Sequence, residues 1–152
     1  MQIDYEVDSS LSKVSGKITA FVDGAAGDSI KFSADLNGEE VFNGSAELND
    51  QRKAEVEFHV SNPKLWYPHG YGEQPLYTVS ATLVHGEHDL HSISRRTGFR
   101  KTELVQTPDK IGKTFYFRVN GVDVFCGGSD WIPADSFVSV LGSECLVFYT
   151  DL

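Results

Sequence analysis

Hydrophobic and polar residues alternate along most of the chain. In residues 53–60, an apolar side chain at every second position is followed by a charged side chain or a histidine. Successive side chains of a strand point to opposite faces, so this period predicts half-buried β-strands. Similar runs occupy residues 12–22, 28–36 and 75–85, and we find no segment with a sustained helical period. The predicted inward positions are Val14, Gly16, Ile18, Ala20, Val22, Ile30, Phe32, Ala34, Leu36, Ala54, Val56, Phe58, Val60, Tyr77, Val79, Ala81 and Leu83.

The number and spacing of these runs predict the fold class. With residues 3–7 before them, a short strand around residues 41–42 and residues 88–105 after them, the chain has about seven strands. We therefore expect an all-β fold, an immunoglobulin-like antiparallel β-sandwich. The paired cysteines of antibody domains are missing, so the likeness is one of architecture. The sequence Thr-Pro-Asp-Lys at 107–110 reads as a junction, which assigns residues 1–106 to the sandwich domain.

A β-hairpin is predicted after this junction. Asn120-Gly121 lies between two alternating apolar runs, the strongest short-range hairpin signal. The second run ends in two glycines, and Asp130, Trp131 and Asp135 follow. Barrel enzymes present their sites just past the carboxyl ends of strands in this way. Residues 138–152 have no turn, cap or partner strand after their apolar cluster, and we expect this atypical tail to be poorly ordered.

Charge and composition restrict the partners and the location. The formal net charge is −9, and an acidic surface repels phosphate backbones and anionic lipid headgroups. Nucleic acid and membranes are therefore not expected partners. The first residues lack a basic segment followed by an apolar one, which does not fit a signal peptide. Two cysteines, Cys126 and Cys145, do not suggest a disulfide framework, so we expect an intracellular (cytoplasmic) location.

Three histidines raise the question of a metal site. Gly86-Glu87 fits a two-residue hairpin turn with glycine first, so His85 and His88 are predicted to face each other across two strands. Two imidazoles do not close a tetrahedral zinc site, and His91 lies further along the strand. We predict a solvated hairpin tip, with no metal and no other cofactor.

Three segments together resemble a known family. They are residues 63–77 (PKLWYPHGYGEQPLY), residues 95–100 (RRTGFR) and the Asn120 hairpin continuing into residues 128–135 (GSDWIPAD). Their order and spacing are similar to those of the β-mannosidase branch of the family 2 glycoside hydrolases. That resemblance implies an immunoglobulin-like domain that precedes a catalytic (β/α)8 barrel. Residues 107–137 would then be the lead-in hairpin and the first strand of a truncated barrel.

The resemblance also implies a function. Such enzymes remove terminal non-reducing β-D-mannose from oligosaccharides with retention, using two glutamates. The family places its acid/base glutamate after an asparagine on the barrel, but none of the five asparagines here precedes a glutamate. A barrel also needs at least about 200 residues. We therefore assign no catalytic residue and expect a fragment, inactive alone, that packs against the sugar-binding and barrel domains of its parent.

The resemblance implies substrate-binding roles for Asp130, Trp131 and Asp135 in the intact enzyme. A tryptophan face suits the C–H side of a pyranose, and a carboxylate can accept hydrogen bonds from two hydroxyls. The alternative is structural: Trp131 packs beneath the barrel mouth and Asp135 caps a helix.

Two further groups have competing interpretations. Four rings between residues 66 and 71 could form a sugar platform, but the prolines and glycines around them favour a corner or domain seam: Trp66, Tyr67, His69 and Tyr71. Arg95, Arg96 and Arg100 read as a charged face that meets a neighbouring domain, because a clamp would need an anionic ligand and mannosides are neutral.

Two rival functions remain open at this point. One is a free-standing β-sandwich that binds glycans or proteins. The other is a parent with a different activity in the same superfamily: a β-galactosidase, a β-glucuronidase or an exo-glucosaminidase.

Overall fold

The computed structural model describes residues 1–25 and 27–128, and within them the fold is built from antiparallel strands. No helix in these two ranges is long and apolar enough to cross a membrane. In chain order the strands are β1 (Gln2–Val7), β2 (Lys13–Phe21), β3 (Ser29–Leu36), β4 (Glu39–Glu47), β5 (Lys53–Ser61), β6 (Tyr77–His85), β7 (His88–Thr97), β8 (Thr102–Val105), β9 (Tyr116–Val119) and β10 (Val122–Val124).

The first seven strands form a sandwich of two sheets. One sheet has the order β1-β2-β5 and the other has the order β4-β3-β6-β7. Every pairing in both sheets is antiparallel. The last three strands form a separate small sheet with the order β10-β9-β8, which we call the third sheet. The predicted all-β sandwich class is confirmed.

The core lies between the two sandwich sheets and includes most of the positions that the alternation predicted, whereas Val22, Leu36, Val56 and Leu83 are only partly buried. Val14, Ile30 and Phe32 are each at most 1% exposed. Complete burial of such side chains contributes about 1.5–3 kcal/mol each. Gly16 leaves room for a neighbour, since a Cβ atom there would lie 2.8 Å from the Phe58 ring. The sandwich is thus held by apolar packing between the sheets.

Two-residue turns connect three of the hairpins, and the sequence analysis predicted those at Asn120-Gly121 and Gly86-Glu87. Both Asn37 and Gly38 have positive φ angles (55° and 86°), as do Asn120 and Gly121 (48° and 81°). A pair of positive φ angles defines the type I′ turn, whose twist matches that of the flanking strands. At the third turn only the first residue, Gly86, has a positive φ (60°), and His85 faces His88 across the strands as predicted.

Two strands differ from their predicted lengths. The strand predicted around residues 41–42 is the nine-residue β4, although its polar residues weaken the alternation. The single run predicted over residues 88–105 is two strands in different sheets, because the chain leaves the sandwich after Thr97. Gly98 there lies against the Trp66 side chain, and Phe99 turns into the core with 0% exposure.

Candidate functional site

The three residues predicted to bind substrate lie outside the described part of the chain. They are Asp130, Trp131 and Asp135, and their role in an intact enzyme stays a prediction. The described strands nearest to them in sequence belong to the third sheet. The candidate site in residues 1–25 and 27–128 is therefore the seam between the sandwich and the third sheet, which fixes the end of the hairpin relative to the sandwich.

An aromatic cluster closes the sandwich at this seam. The Phe99 ring lies 4.5 Å from the Tyr77 ring and 5.0 Å from the Tyr5 ring, measured between centroids. The Tyr5 hydroxyl donates a hydrogen bond to the Gly98 carbonyl (3.0 Å), and the Tyr77 hydroxyl accepts one from the Lys64 amide (2.8 Å). Each tyrosine therefore buries its ring while its hydroxyl holds a loop. Burial raises the pKa of Tyr77.

The loop between β5 and β6 folds over this cluster. The Trp66 amide donates to the Phe99 carbonyl (2.9 Å), and the Trp66 side chain lies on Gly98, where a Cβ atom would come within 2.8 Å of it. The Arg100 guanidinium stacks over the Trp66 ring at 4.8 Å from the centroid. Cation–π contacts of this kind contribute about 0.5–1 kcal/mol at exposed sites. The structure thus supports the domain-seam interpretation for Trp66.

Asn120 connects the loop, the sandwich exit and the hairpin. Its side-chain amide donates to the Trp66 carbonyl (2.9 Å), and its side-chain oxygen accepts from the Lys101 amide (2.8 Å). Its own backbone amide donates to the Lys101 carbonyl (2.9 Å), and the residue is 3% exposed. A fourth contact, from the Phe125 amide to the Tyr71 hydroxyl (2.9 Å), holds the far end of the hairpin. We call the Asn120 contacts with Trp66 and Lys101 the Asn120 bracket.

The third sheet has two chemically different faces. Phe117 lies directly opposite Leu104 on β8 and Val124 on β10, so these three side chains share a face. Leu104 is 48% exposed and Phe117 is 39% exposed, and the Phe115 ring packs edge-on against Phe117. Apolar side chains on this face are therefore open to solvent in the chain as described.

The opposite face of the third sheet is polar. Arg118 lies opposite Glu103 and Asp123 in the register, and its guanidinium donates to the Asp123 carboxylate at 2.5 Å. This contact lowers the pKa of Asp123 and raises that of Arg118. The ion pair and the charged neighbours are well solvated in water, whereas the apolar face would be stabilised by packing against a partner surface.

A second polar contact lies at the other end of the sandwich. The Asp28 side chain is only 4% exposed, and its carboxylate contacts His85 Nδ1 (2.6 Å) and accepts from the Ala25 amide (2.8 Å). These two contacts hold the pKa of Asp28 below its ordinary value. No group of three or more potential metal ligands occurs in the part of the chain that the structure describes. His85 thus anchors a loop through Asp28.

Sequence reasoning identified Asn120 only as a turn residue and did not assign the bracket. An asparagine at a positive φ is typical of a turn whether its side chain is free or bonded. The tyrosine hydroxyls and the exit at Gly98-Phe99 were missed as well, because their partners are distant in sequence. The only local sequence signal for this exit was a glycine next to an aromatic residue, Gly98-Phe99.

Residues 1–100 match the family described as Glycosyl hydrolases family 2. The chain is similar to Beta-mannosidase B of Aspergillus terreus, with 46% identity over 91% of the chain and 17% of that protein. It is also similar to Beta-mannosidase B of Aspergillus niger, with 49% identity over 72% of the chain and 13% of that protein. The chain thus spans less than a fifth of the length of these relatives.

A solved structure shares the whole described fold. The β-D-mannosidase from Dictyoglomus thermophilum matches 98% of the chain and 19% of its own length, with a TM-score of 0.72 and 27% identity. The β-glucuronidase 3 of Bacteroides uniformis matches 81% of the chain and 14% of its own length with a TM-score of 0.61, but its 22% identity shows a common fold only.

Proposed function

The chain belongs to family 2 of the glycosyl hydrolases, and on that premise we propose that it is the scaffold part of a β-mannosidase. The complete enzyme would remove terminal non-reducing β-D-mannose from oligosaccharides with retention, using two glutamates outside this chain. The observation that carries the proposal is the amphipathic third sheet, which the Asn120 bracket fixes to the sandwich while no strand among the described residues covers its apolar face.

The apolar face supports a role in packing against further domains. A sheet with strands of four, four and three residues buries little apolar surface by itself, so a partner surface over its apolar face would stabilise it. The bracket holds one side of this sheet to the sandwich, so Leu104, Phe117 and Val122 remain available for another domain. Exposed apolar patches of this kind mark surfaces that contact another domain or protein. We propose that they pack against the barrel of the intact enzyme and set its position.

The first test measures activity of the 152-residue chain alone. We expect no release of nitrophenol from p-nitrophenyl β-mannoside, because the proposed acid and nucleophile belong to the rest of the enzyme. Turnover that co-purifies with the chain through successive columns would contradict this expectation.

The second test places the chain in a complete enzyme. Residues 1–137 replace the matching segment of Aspergillus terreus Beta-mannosidase B. We expect this chimera to hydrolyse p-nitrophenyl β-mannoside within about tenfold of the parent rate, a barrier change of about 1.4 kcal/mol. Substitution Phe117→Glu should prevent the third sheet from packing against the barrel and so abolish hydrolysis by the chimera, because it places a charge in the proposed contact. The matched control is Lys113→Glu, at an exposed position outside the strands.

The outcomes of the second test are distinct. A folded chimera that does not hydrolyse the β-mannoside would contradict the proposal. A chimera in which Phe117→Glu and Lys113→Glu behave alike would show that the apolar face is not an interface.

The substrate-binding roles are proposed for the same chimera. Trp131→Ala should raise KM by at least about tenfold, because stacking of an aromatic face against the sugar would be lost. Asp130→Asn and Asp135→Asn test the two carboxylates in the same way. An unchanged KM would remove the substituted residue from the proposed pocket.

An intracellular location is proposed as well. Cys126 is exposed and forms no disulfide with any residue that the structure describes, and free thiols persist in reducing compartments. Fractionation of cells with an antibody against residues 1–106 tests this, and recovery of the antigen from the culture medium would contradict it.

A further inference from the structure

Strand β7 is an open edge of the larger sandwich sheet. It lies at the end of the order β4-β3-β6-β7, so in the described structure it pairs with β6 alone. Nine of its ten residues, from His88 to Arg96, are exposed. An unpaired edge presents a row of backbone N–H and C=O groups that can hydrogen-bond another strand. The length of β7 makes it an unusually large edge of this kind, since most strands have about five or six residues.

The arginines of this edge form no ion pair with a carboxylate of the described residues. Arg52 and Arg118 form ion pairs with Asp23 and Asp123, respectively. Across residues 1–25 and 27–128, by contrast, no carboxylate lies within 4.0 Å of the basic groups of Arg95 and Arg96. The chain carries a net charge of −9, so acidic partners for these arginines are not scarce.

Clefts open along the same side of the sandwich. One of about 380 Å³ is lined by Arg95, Arg96 and Thr97 together with the first residues of the chain, Met1 to Ile3. A second of about 260 Å³ is lined mainly by apolar residues of β2, β3 and β6 with Ile93 and His91 on β7, and Asp23 lies at it as well. The edge of β7 therefore borders a charged cleft at one end and an apolar cleft at the other.

The register of β6 and β7 assigns each side chain to a face. Arg95 lies opposite the buried Val79, and Ile93 lies opposite the buried Ala81, so both belong to the inner face. Arg96 lies opposite Thr78 and belongs to the outer face. A strand added to β7 would need one carboxylate on its inner face opposite Arg95 and one on its outer face opposite Arg96. It would also need an apolar side chain opposite Ile93.

We propose that β7 is a docking edge for an extended acidic polypeptide segment, which joins the sheet as a fifth strand. Backbone hydrogen bonds between β7 and the segment would supply affinity. Two neighbouring carboxylates of the segment, paired with Arg95 and Arg96, would fix its register. The apolar side chain that follows at the second position would enter the cleft beside Ile93. This partner is defined by charge complementarity to an edge that no described strand covers.

The test uses the purified 152-residue chain and a capped peptide, Thr-Glu-Glu-Thr-Val-Thr-Val, designed to run antiparallel from Thr97 to His91. Isothermal titration calorimetry measures its affinity beside that of a peptide with two lysines in place of the glutamates. We expect the acidic peptide to bind and the lysine peptide not to bind. Binding should weaken strongly in about 1 M salt, where charges are screened beyond about 3 Å.

Matched variants separate this edge from overall charge. R95E/R96E should weaken binding by at least about tenfold, which corresponds to the loss and reversal of two exposed ion pairs. The control K110E/K113E changes the net charge equally at exposed residues away from β7 and should alter the affinity less than about twofold. Circular dichroism verifies that both variants retain the fold.

Hydrogen exchange distinguishes strand pairing from a simple charge contact. A paired strand protects every second amide of β7, because alternate backbone groups point to the free edge. Binding without this alternate protection, or equal binding of inorganic polyphosphate, would overturn the proposal. Failure of both peptides to bind would overturn the proposal, since it would show that the arginines only prevent β7 from pairing with other strands. Self-association of the chain that R95E/R96E abolishes would instead identify a second copy as the partner and would also overturn it.

Discussion

Removal of the Asn120 side chain should weaken the connection between the third sheet and the sandwich. The informative substitution is Asn120→Gly, because glycine accepts the positive φ of 48° at this turn position without strain. The change therefore removes the side-chain hydrogen bonds to Trp66 and Lys101 while the type I′ turn is preserved. The backbone hydrogen bond from Asn120 to Lys101 remains.

The expected loss of stability follows from the groups left without partners. The Trp66 carbonyl and the Lys101 amide each lose a hydrogen bond next to a residue that is 3% exposed. A buried group without a partner costs about 1–3 kcal/mol, and water entering the vacated space recovers part of this. We expect the free energy of unfolding to fall by about 2–4 kcal/mol, a decrease in Tm of about 6–12 °C at this chain length.

Asn37→Gly is the matched control. Asn37 has the same position in a type I′ turn (φ 55°), but it is exposed. We expect a change within about 0.5 kcal/mol there. Urea unfolding followed by far-UV circular dichroism gives both values. A difference between the two variants of less than about 0.5 kcal/mol would refute the reasoning, since it would show that the bracket does not stabilise the fold.

Two further predictions concern close packing and pH. Gly98→Ala places a Cβ atom 2.8 Å from the Trp66 side chain and should cost about 1–3 kcal/mol in thermal unfolding, whereas Gly112→Ala, with nothing within 4 Å, should be neutral; equal Tm values would contradict this. The pKa of Asp28 lies below its ordinary value because of His85 and the neighbouring backbone, so its stabilising contribution is present at neutral pH and is lost as the pH falls through the folded-state pKa. The stability difference between the native chain and D28N should therefore narrow below the unfolded-state pKa of about 3.9, and a difference independent of pH from 7 to about 2 would exclude this linkage.

The positions of the strands could be predicted because alternation is a local property. Burial of Val14, Phe32 and Tyr77 follows from their places in runs of period two. The hairpin turns were predictable for the same reason, since Asn-Gly specifies a type I′ turn within its own two residues. The strand break at Gly98 was not predictable in this way, because the reason for it is the Trp66 side chain, about thirty residues earlier.

The candidate site depended more on distant contacts. The family resemblance directed attention to Asp130, Trp131 and Asp135, which the described residues do not include. The seam that the structure does describe is built from contacts between residues 54 and 93 positions apart, such as Asn120 with Trp66 and Tyr5 with Gly98. Hydrogen bonds of this span leave no periodic signal in the sequence.

The sequence by itself determined the all-β class, the hairpin turns, the family and the two-sided character of the strands, because each depends on neighbouring residues or on motifs. Tertiary structure alone decided which strands share a sheet, that β8 pairs with the hairpin, and that Asn120 bonds to both Trp66 and Lys101. It also decided that, among the residues that the structure describes, β7 is an edge strand and its Arg95 and Arg96 form no ion pair. The physical reason is that strand order and side-chain partners are set by the packing of the whole chain, whereas the side-chain period is set by the backbone of each strand.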